Sequence, residues 1–229
     1  MLSYLSRFIR FMLSFIYDIV VSRPVTSHTY YRLLQRMKAN SSDFKQLESI
    51  LDVGVGTGTA LSYIIPDLNK DVKIIGVDID QNYVDYCQKL FKTRNNITIL
   101  LKDFNEMDDK DLKSLEVENR FDVIFFSSSF MLMPNKIKTL EKARSLLKQN
   151  GKIYFVLTLF EKRKKLIERF KPLLKYATTI DFGEALTESQ FLEILKESGL
   201  NVNYKERIEK KYFPCFKIFR YFLIEAEFV

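Results

Sequence analysis

The sequence predicts an α/β protein built around a doubly wound, mostly parallel sheet, and three observations carry that expectation. An apolar strand, Ile50-Leu51-Asp52-Val53, runs directly into a glycine-rich turn, Gly54-Val-Gly56-Thr-Gly58. Further buried-type strands recur at residues 73–77, 97–101 and 121–126, with helical stretches between them, as a parallel sheet requires. Acidic residues stand where ligands gather in such sheets, at the carboxyl ends of strands: Asp78 ends the second and Asp103 follows the third.

Taken in order, the chain opens on an unusual segment. Residues 1–21 are dominated by Leu, Phe, Ile, Met and Val, but Arg7, Arg10 and Asp18 interrupt them. No apolar stretch there approaches the roughly 20 residues that a membrane span needs. Ser3, Arg7, Arg10, Ser14 and Asp18 recur at helical spacing and give a narrow polar stripe on a broad apolar helix. Three readings stay open: a helix lying in a membrane interface, a basic mitochondrial-type targeting segment, or a helix packed on its own domain or a partner. Pro24 is expected to end this helix, and residues 28–38 to begin another. His28 is the single histidine, and an unperturbed imidazole is a serviceable base near neutral pH.

The glycine turn needs residues that bend tightly and let a ligand sit almost on the main chain. Its spacing is not that of a dinucleotide fingerprint, because Thr59 stands where the third glycine would be. Asp52 would repel a pyrophosphate and suits a ligand carrying an ammonium group. Asp78 is placed to accept the two hydroxyls of a ribose, while Asp80 is better placed to cap the helix starting near Gln81. Asp103-Phe104 sets an acceptor beside an aromatic ring, as an adenine would want. The fourth strand leads into Ser127-Ser-Ser-Phe130-Met-Leu-Met133.

These motifs, in this order, resemble those of class I S-adenosylmethionine-dependent methyltransferases, as does Leu146-Leu-Lys-Gln-Asn150-Gly151-Lys-Ile153, where Asn150 replaces the first glycine of the usual pair. The resemblance covers residues 17–229. It implies a Rossmann-like doubly wound sheet of seven strands, with an antiparallel final strand. Residues 1–23 then form an N-terminal amphipathic helix, and residues 24–229 the methyltransferase domain. The implied cofactor is S-adenosyl-L-methionine, leaving as S-adenosyl-L-homocysteine. Gly54 and Gly56 would line its methionine part, and Asp52, Gly58, Ile79 and Ser127 are also expected to bind the cofactor. Asp78 would hold the ribose, and Asp103 with Phe104 the adenine. The entry segment resembles that of methyltransferases acting on quinones and phosphoethanolamine headgroups. It makes Tyr17 the candidate to close over the cofactor and to assist catalysis with His28, with Tyr30 and Tyr31 behind it.

The tract after the fourth strand narrows the chemistry. The Asn/Asp-Pro-Pro-aromatic tetrad of base-amino methyltransferases is absent, and so is the Pro-Cys nucleophile of cytosine-carbon enzymes. Phe130, Met131, Leu132 and Met133 are expected to form an apolar rim for a hydrophobic or lipid-like acceptor. Farther on, residues 161–174 read as a basic amphipathic helix, suited to anionic headgroups or simply to solvent. Thr187 with Gln190 signals a capping box, and Ser198-Gly199 the end of that helix. Residues 202–208 and 217–228 read as two antiparallel closing strands, joined by the basic, aromatic stretch 210–216.

Composition agrees. At 229 residues, 47% of them hydrophobic, the chain can bury a full core. Two cysteines make no disulfide framework and no zinc site, which fits a reducing, intracellular compartment. The net charge of +7 favours an anionic partner. The expected partners are a small-molecule or lipid methyl acceptor and the anionic surface of a membrane, on its cytoplasmic face or in mitochondria. RNA ranks below these, and a catalytically silent assembly subunit is the remaining alternative.

Overall fold

The computed structural model describes residues 23–39, 44–117, 120–160, 186–208 and 220–229. The segment 1–21 with Tyr17, the basic stretch 161–174 and the 210–216 join lie outside these residues. Among the described residues the first element is helix α1, Arg23–Ala39. Pro24 falls in its first turn, where a missing N–H costs nothing, so the proline opens this helix and α1 starts before residue 28.

Seven strands follow: β1 (Ser49–Val53), β2 (Lys73–Asp78), β3 (Ile97–Leu101), β4 (Phe121–Ser127), β5 (Leu147–Leu159), β6 (Leu200–Ile208) and β7 (Arg220–Phe228). Helices α2 (Thr59–Ser62), α3 (Gln81–Phe91), α4 (Asp109–Ser114), α5 (Lys136–Leu146) and α6 (Glu188–Glu197) connect them. The strands form one sheet in the order β3-β2-β1-β4-β5-β7-β6. β1 pairs in parallel with β2 and β4, whereas β7 runs antiparallel between β5 and β6. The expected seven-stranded, mostly parallel sheet with its antiparallel last strand is therefore present. The order reverses between β1 and β4, and that reversal opens a crevice at their carboxyl ends.

Local signals explain the boundaries. The Asp80 side chain accepts from Asn82 N at 2.8 Å and starts α3. Thr187 and Gln190 form a reciprocal capping box at α6. Gly199, with φ of 72°, carries the chain out of that helix. β5 begins at Leu147, which pairs with Phe121 across an irregularity in register.

Side chains alternate along each strand, so two cores form. On one face Ile50, Ile74, Phe125 and Leu223 pack under α1, α2 and α3, with Leu33, Leu34 and Met37 from α1. On the other face Leu51, Val53, Ile75 and Phe126 pack under α4, α5 and α6. This alternation decides where the site residues point.

Candidate functional site

The site is built at the carboxyl edge of β1, β2 and β4. Gly54 N and Val55 N both donate to Val77 O, at 2.8 and 3.1 Å, which folds the glycine turn over the end of β2. Gly54 has φ of 72°, and a Cβ there would overlap Ser129, whose hydroxyl donates to Val53 O. At Gly58, with φ of 74°, a Cβ would lie 2.6 Å from Cys87 Sγ and 2.7 Å from the Phe91 ring. A side chain is thus excluded at both positions by neighbours as well as by backbone conformation. Gly56 differs, since nothing lies within 4 Å of where its Cβ would stand. Here the backbone faces open space. Its N–H donates to Asp78 Oδ2 at 2.9 Å, and Asp78 Oδ1 accepts from Asp80 N at 3.0 Å. Asp78 therefore ties the turn to β2 while standing half-buried at the strand's end. Ile79 follows it, 77% exposed, an apolar surface beside a carboxylate.

Asp52 is the most informative residue. It is 1% exposed, and neither of its oxygens has a hydrogen-bond partner among the described residues. A buried carboxylate without partners is costly. Burial, and secondarily the charge of Asp78, push its pKa up to about 7. Cys87, beneath the glycine turn, is pushed up to about 12 by burial and by the two aspartates, so its thiol stays protonated. Strand alternation turns Asp52 and Ser127 to the α1 face. There the hydroxyl of fully buried Tyr30 enters the field of Asp52 and approaches the Ser127 side chain without completing a well-formed hydrogen bond. Desolvation and Asp52 hold the phenol well above its ordinary pKa. The signal for Tyr30 lies in the sequence: Tyr30, Leu33, Leu34 and Met37 form an i, i+3, i+4, i+7 stripe.

Other expected residues fall elsewhere. Phe104 is 2% exposed and packs edge-on against Phe126, ring centroids 5.5 Å apart. Its ring packs into the α4–α6 core. Asp103 itself is half-buried and its Oδ1 accepts from Asn105 N at 2.8 Å. Phe130 leaves the expected rim as well. It is fully buried among Phe126, Phe155 and Phe191 because the turn after β4 directs it inward. Leu132 is 46% exposed, and Met131 and Met133 are partly buried beside it. His28 is exposed. Two residues before Tyr30, it is turned about 200° around α1, away from Asp52. Among the described residues no group of three or more His, Cys, Asp or Glu is placed to hold a metal ion. No described helix is long and apolar enough to cross a membrane.

The arrangement fits S-adenosylmethionine on the chain's own terms. A buried carboxyl without a hydrogen-bond partner among the described residues suits a cationic group, open backbone stands at Gly56, and an acceptor and an apolar surface sit side by side at Asp78 and Ile79.

Comparison with known proteins agrees. A methyltransferase domain model matches residues 44–199. Malonyl-[acyl-carrier protein] O-methyltransferase 2 of Ilyobacter polytropus is 24% identical over 80% of this chain and 72% of its own length. Among solved structures, a SAM-dependent methyltransferase from Aquifex aeolicus superposes with a TM-score of 0.58 at 18% identity, over 83% of this chain and 88% of its own. The CurJ carbon methyltransferase gives 0.56 at 20% identity over 78% of this chain, which spans 48% of that structure. The chain belongs to the methyltransferase-domain family, and its fold, cofactor and enzyme class are those of S-adenosylmethionine-dependent methyltransferases.

Proposed function

For this methyltransferase we propose a small acceptor with an apolar body, an amine headgroup or a quinone-like lipid, methylated at the surface of an anionic membrane. The carrying observation is the half-exposed Leu132, with Met131 and Met133, in the turn directly after β4. An apolar body resting there would bring its reactive atom to the crevice between β1 and β4. The net charge of +7 supports an anionic surface as the place of work.

When bound, S-adenosylmethionine supplies an activated methyl group on a sulfonium. The chain's contribution is to bind, orient and exclude water. Asp52, buried and unpartnered, would take the methionine ammonium, and Asp78 would accept the ribose hydroxyls. Gly56 offers backbone at contact distance, Ile79 an apolar surface for the adenosine, and Asp103 an acceptor at the adenine edge. Tyr17, outside the described residues, stays a candidate to cover the cofactor.

A second reading rests on a different observation. The Tyr30 phenol and the Cys87 thiol are held protonated by burial, and the Asp52 carboxyl is buried, so none of these three is exposed to take a proton from an acceptor. A carboxylate needs no base, and relatives 24 and 25% identical are named malonyl-[acyl-carrier protein] O-methyltransferases. A carboxylate on a carrier-bound acyl chain is therefore the alternative acceptor.

One experiment tests both readings. Purified protein is given cofactor labelled in the methyl group, with phosphoethanolamine and quinone-precursor lipids in anionic vesicles, and separately with malonyl-loaded carrier protein. Vesicle-dependent label in the lipid extract supports the first reading. Base-labile label on the carrier would replace it with the second, and label in neither contradicts both.

A further inference from the structure

We infer that Ser128 belongs to the acceptor site: its hydroxyl makes the hydrogen bond that holds the acceptor's reacting polar group at the crevice between β1 and β4. The inference deepens the acceptor reading above and rests on it. Ser128 is the first residue beyond β4. It is exposed, and its φ of 56° lies in the left-handed region. A Cβ makes that conformation unfavourable, and glycine is the residue that adopts it freely. At this edge of the sheet the other described left-handed residues are glycines, Gly54, Gly56 and Gly58. The remaining described non-glycine residues with positive φ stand where the chain enters a strand, Glu116 and Arg120 before β4 and Asn150 near the start of β5.

The strained turn is held from both sides, as such a conformation requires. β4 stays paired with β5 through Ser127 and Val156, one residue past its last pair with β1, Val53 and Phe126. Ser128 N then donates to Val156 O at 2.7 Å. The next residue crosses to the opposite neighbour. Ser129 is 5% exposed, and its hydroxyl donates to Val53 O in the space that Gly54 leaves by lacking a side chain. Phe130 then enters the aromatic core and Leu132 emerges at the rim. Ser128 is thereby fixed between the glycine turn and the apolar residues that follow β4.

These bonds use the backbone of Ser128 and not its side chain. Among the described residues its hydroxyl has no hydrogen-bond partner. A glycine would make the same turn, keep the bond to Val156 and remove the strain. What serine adds is a hydroxyl, placed where the acceptor has to stand. A hydroxyl both accepts and donates, so it can accept from an amine N–H or donate to an acceptor oxygen. Either bond fixes the orientation of the acceptor and leaves the lone pair of the attacking atom free to face the cofactor.

The test compares the full chain with Ser128→Gly and Ser128→Ala, using methyl-labelled cofactor and the acceptor probes above: phosphoethanolamine and quinone-precursor lipids in anionic vesicles, and malonyl-loaded carrier protein. Both variants lose the hydroxyl, and the glycine variant also loses the strain. On the probe that wild type labels, both are expected to fall about tenfold in kcat/KM. Calorimetric affinity for S-adenosylhomocysteine should change less than twofold. The Tm of Ser128→Gly should rise by about 2 °C, which separates its loss of activity from a loss of fold. Ser128→Gly as active as wild type would show that the position serves the turn alone and would overturn the inference. A lower Tm in that variant, or a matching loss of cofactor affinity, would overturn it as well. Wild-type protein that labels none of the probes would overturn the acceptor reading itself.

Discussion

The two faces of the sheet meet the same carboxyl edge and are built on opposite terms. Val53 and Phe126 point to the α4–α6 face, into a cluster of aromatic rings that pack edge-on or stacked and contain no polar atom. Their neighbours along the same strands, Asp52 and Ser127, point to the α1 face. There a carboxylate and a phenol are buried without completed hydrogen bonds. One face supplies stability and the other gives some of it up, and a difference of a single residue in strand register separates them. Unsatisfied polar groups tend to gather where function requires them, and among the described residues Tyr30 and Asp52 share the α1 side, with Ser198 Oγ at the end of α6 standing apart from them.

Substitutions sharpen this contrast. The largest effect is expected on the aromatic face. Phe155 is fully buried, stacked on Phe126 with centroids 5.4 Å apart and edge-on to Phe191 at 5.2 Å. Phe155→Ala should cost about 3–5 kcal/mol in urea unfolding. On the α1 face, Asp52→Asn should do the reverse. Folded Asp52 titrates near 7 against 3.8 for an unperturbed aspartate. Between those values the folded chain holds a proton that the unfolded chain lacks, so stability falls as pH rises from about 4 to 7. Asparagine escapes that loss. Thermal unfolding should show the variant more stable by roughly 2–4 kcal/mol at pH 8, with the advantage vanishing near pH 4. Lower stability of Asp52→Asn at pH 8 would contradict the contrast between the faces. Smallest of all, Lys38→Ala breaks an ion pair with Asp67 whose side chains are 44% and 43% exposed. It should change stability by less than about 0.5 kcal/mol and lose even that in high salt.

The same contrast explains what could be read from the sequence. Strands β1 to β4 were legible because Gly, Asp and Ser punctuate apolar runs of strand length, and the helix starts at Asp80 and Thr187 because caps are local. Asp52 and Asp78 were legible because their position follows from where a strand ends. Phe104 and Phe130 were not, because a motif fixes position along the chain whereas burial depends on which face the turn delivers. The choice between adjacent Tyr30 and Tyr31 required the phase of α1. Its stripe of Leu33, Leu34 and Met37 supplies that phase and leaves Tyr31 56% exposed. Cys87 shares a buried stripe with Val84 and Phe91, but its place under the glycine turn is a tertiary contact with no local signal.

The central claim is that Asp52 is left unpartnered for the cofactor's ammonium, and titration of S-adenosylhomocysteine into wild type and Asp52→Asn at pH 8 tests it most directly. The expected result is saturable binding by wild type and a loss of at least about 100-fold in the variant, despite its greater stability. Equal affinity in the two proteins would contradict the claim.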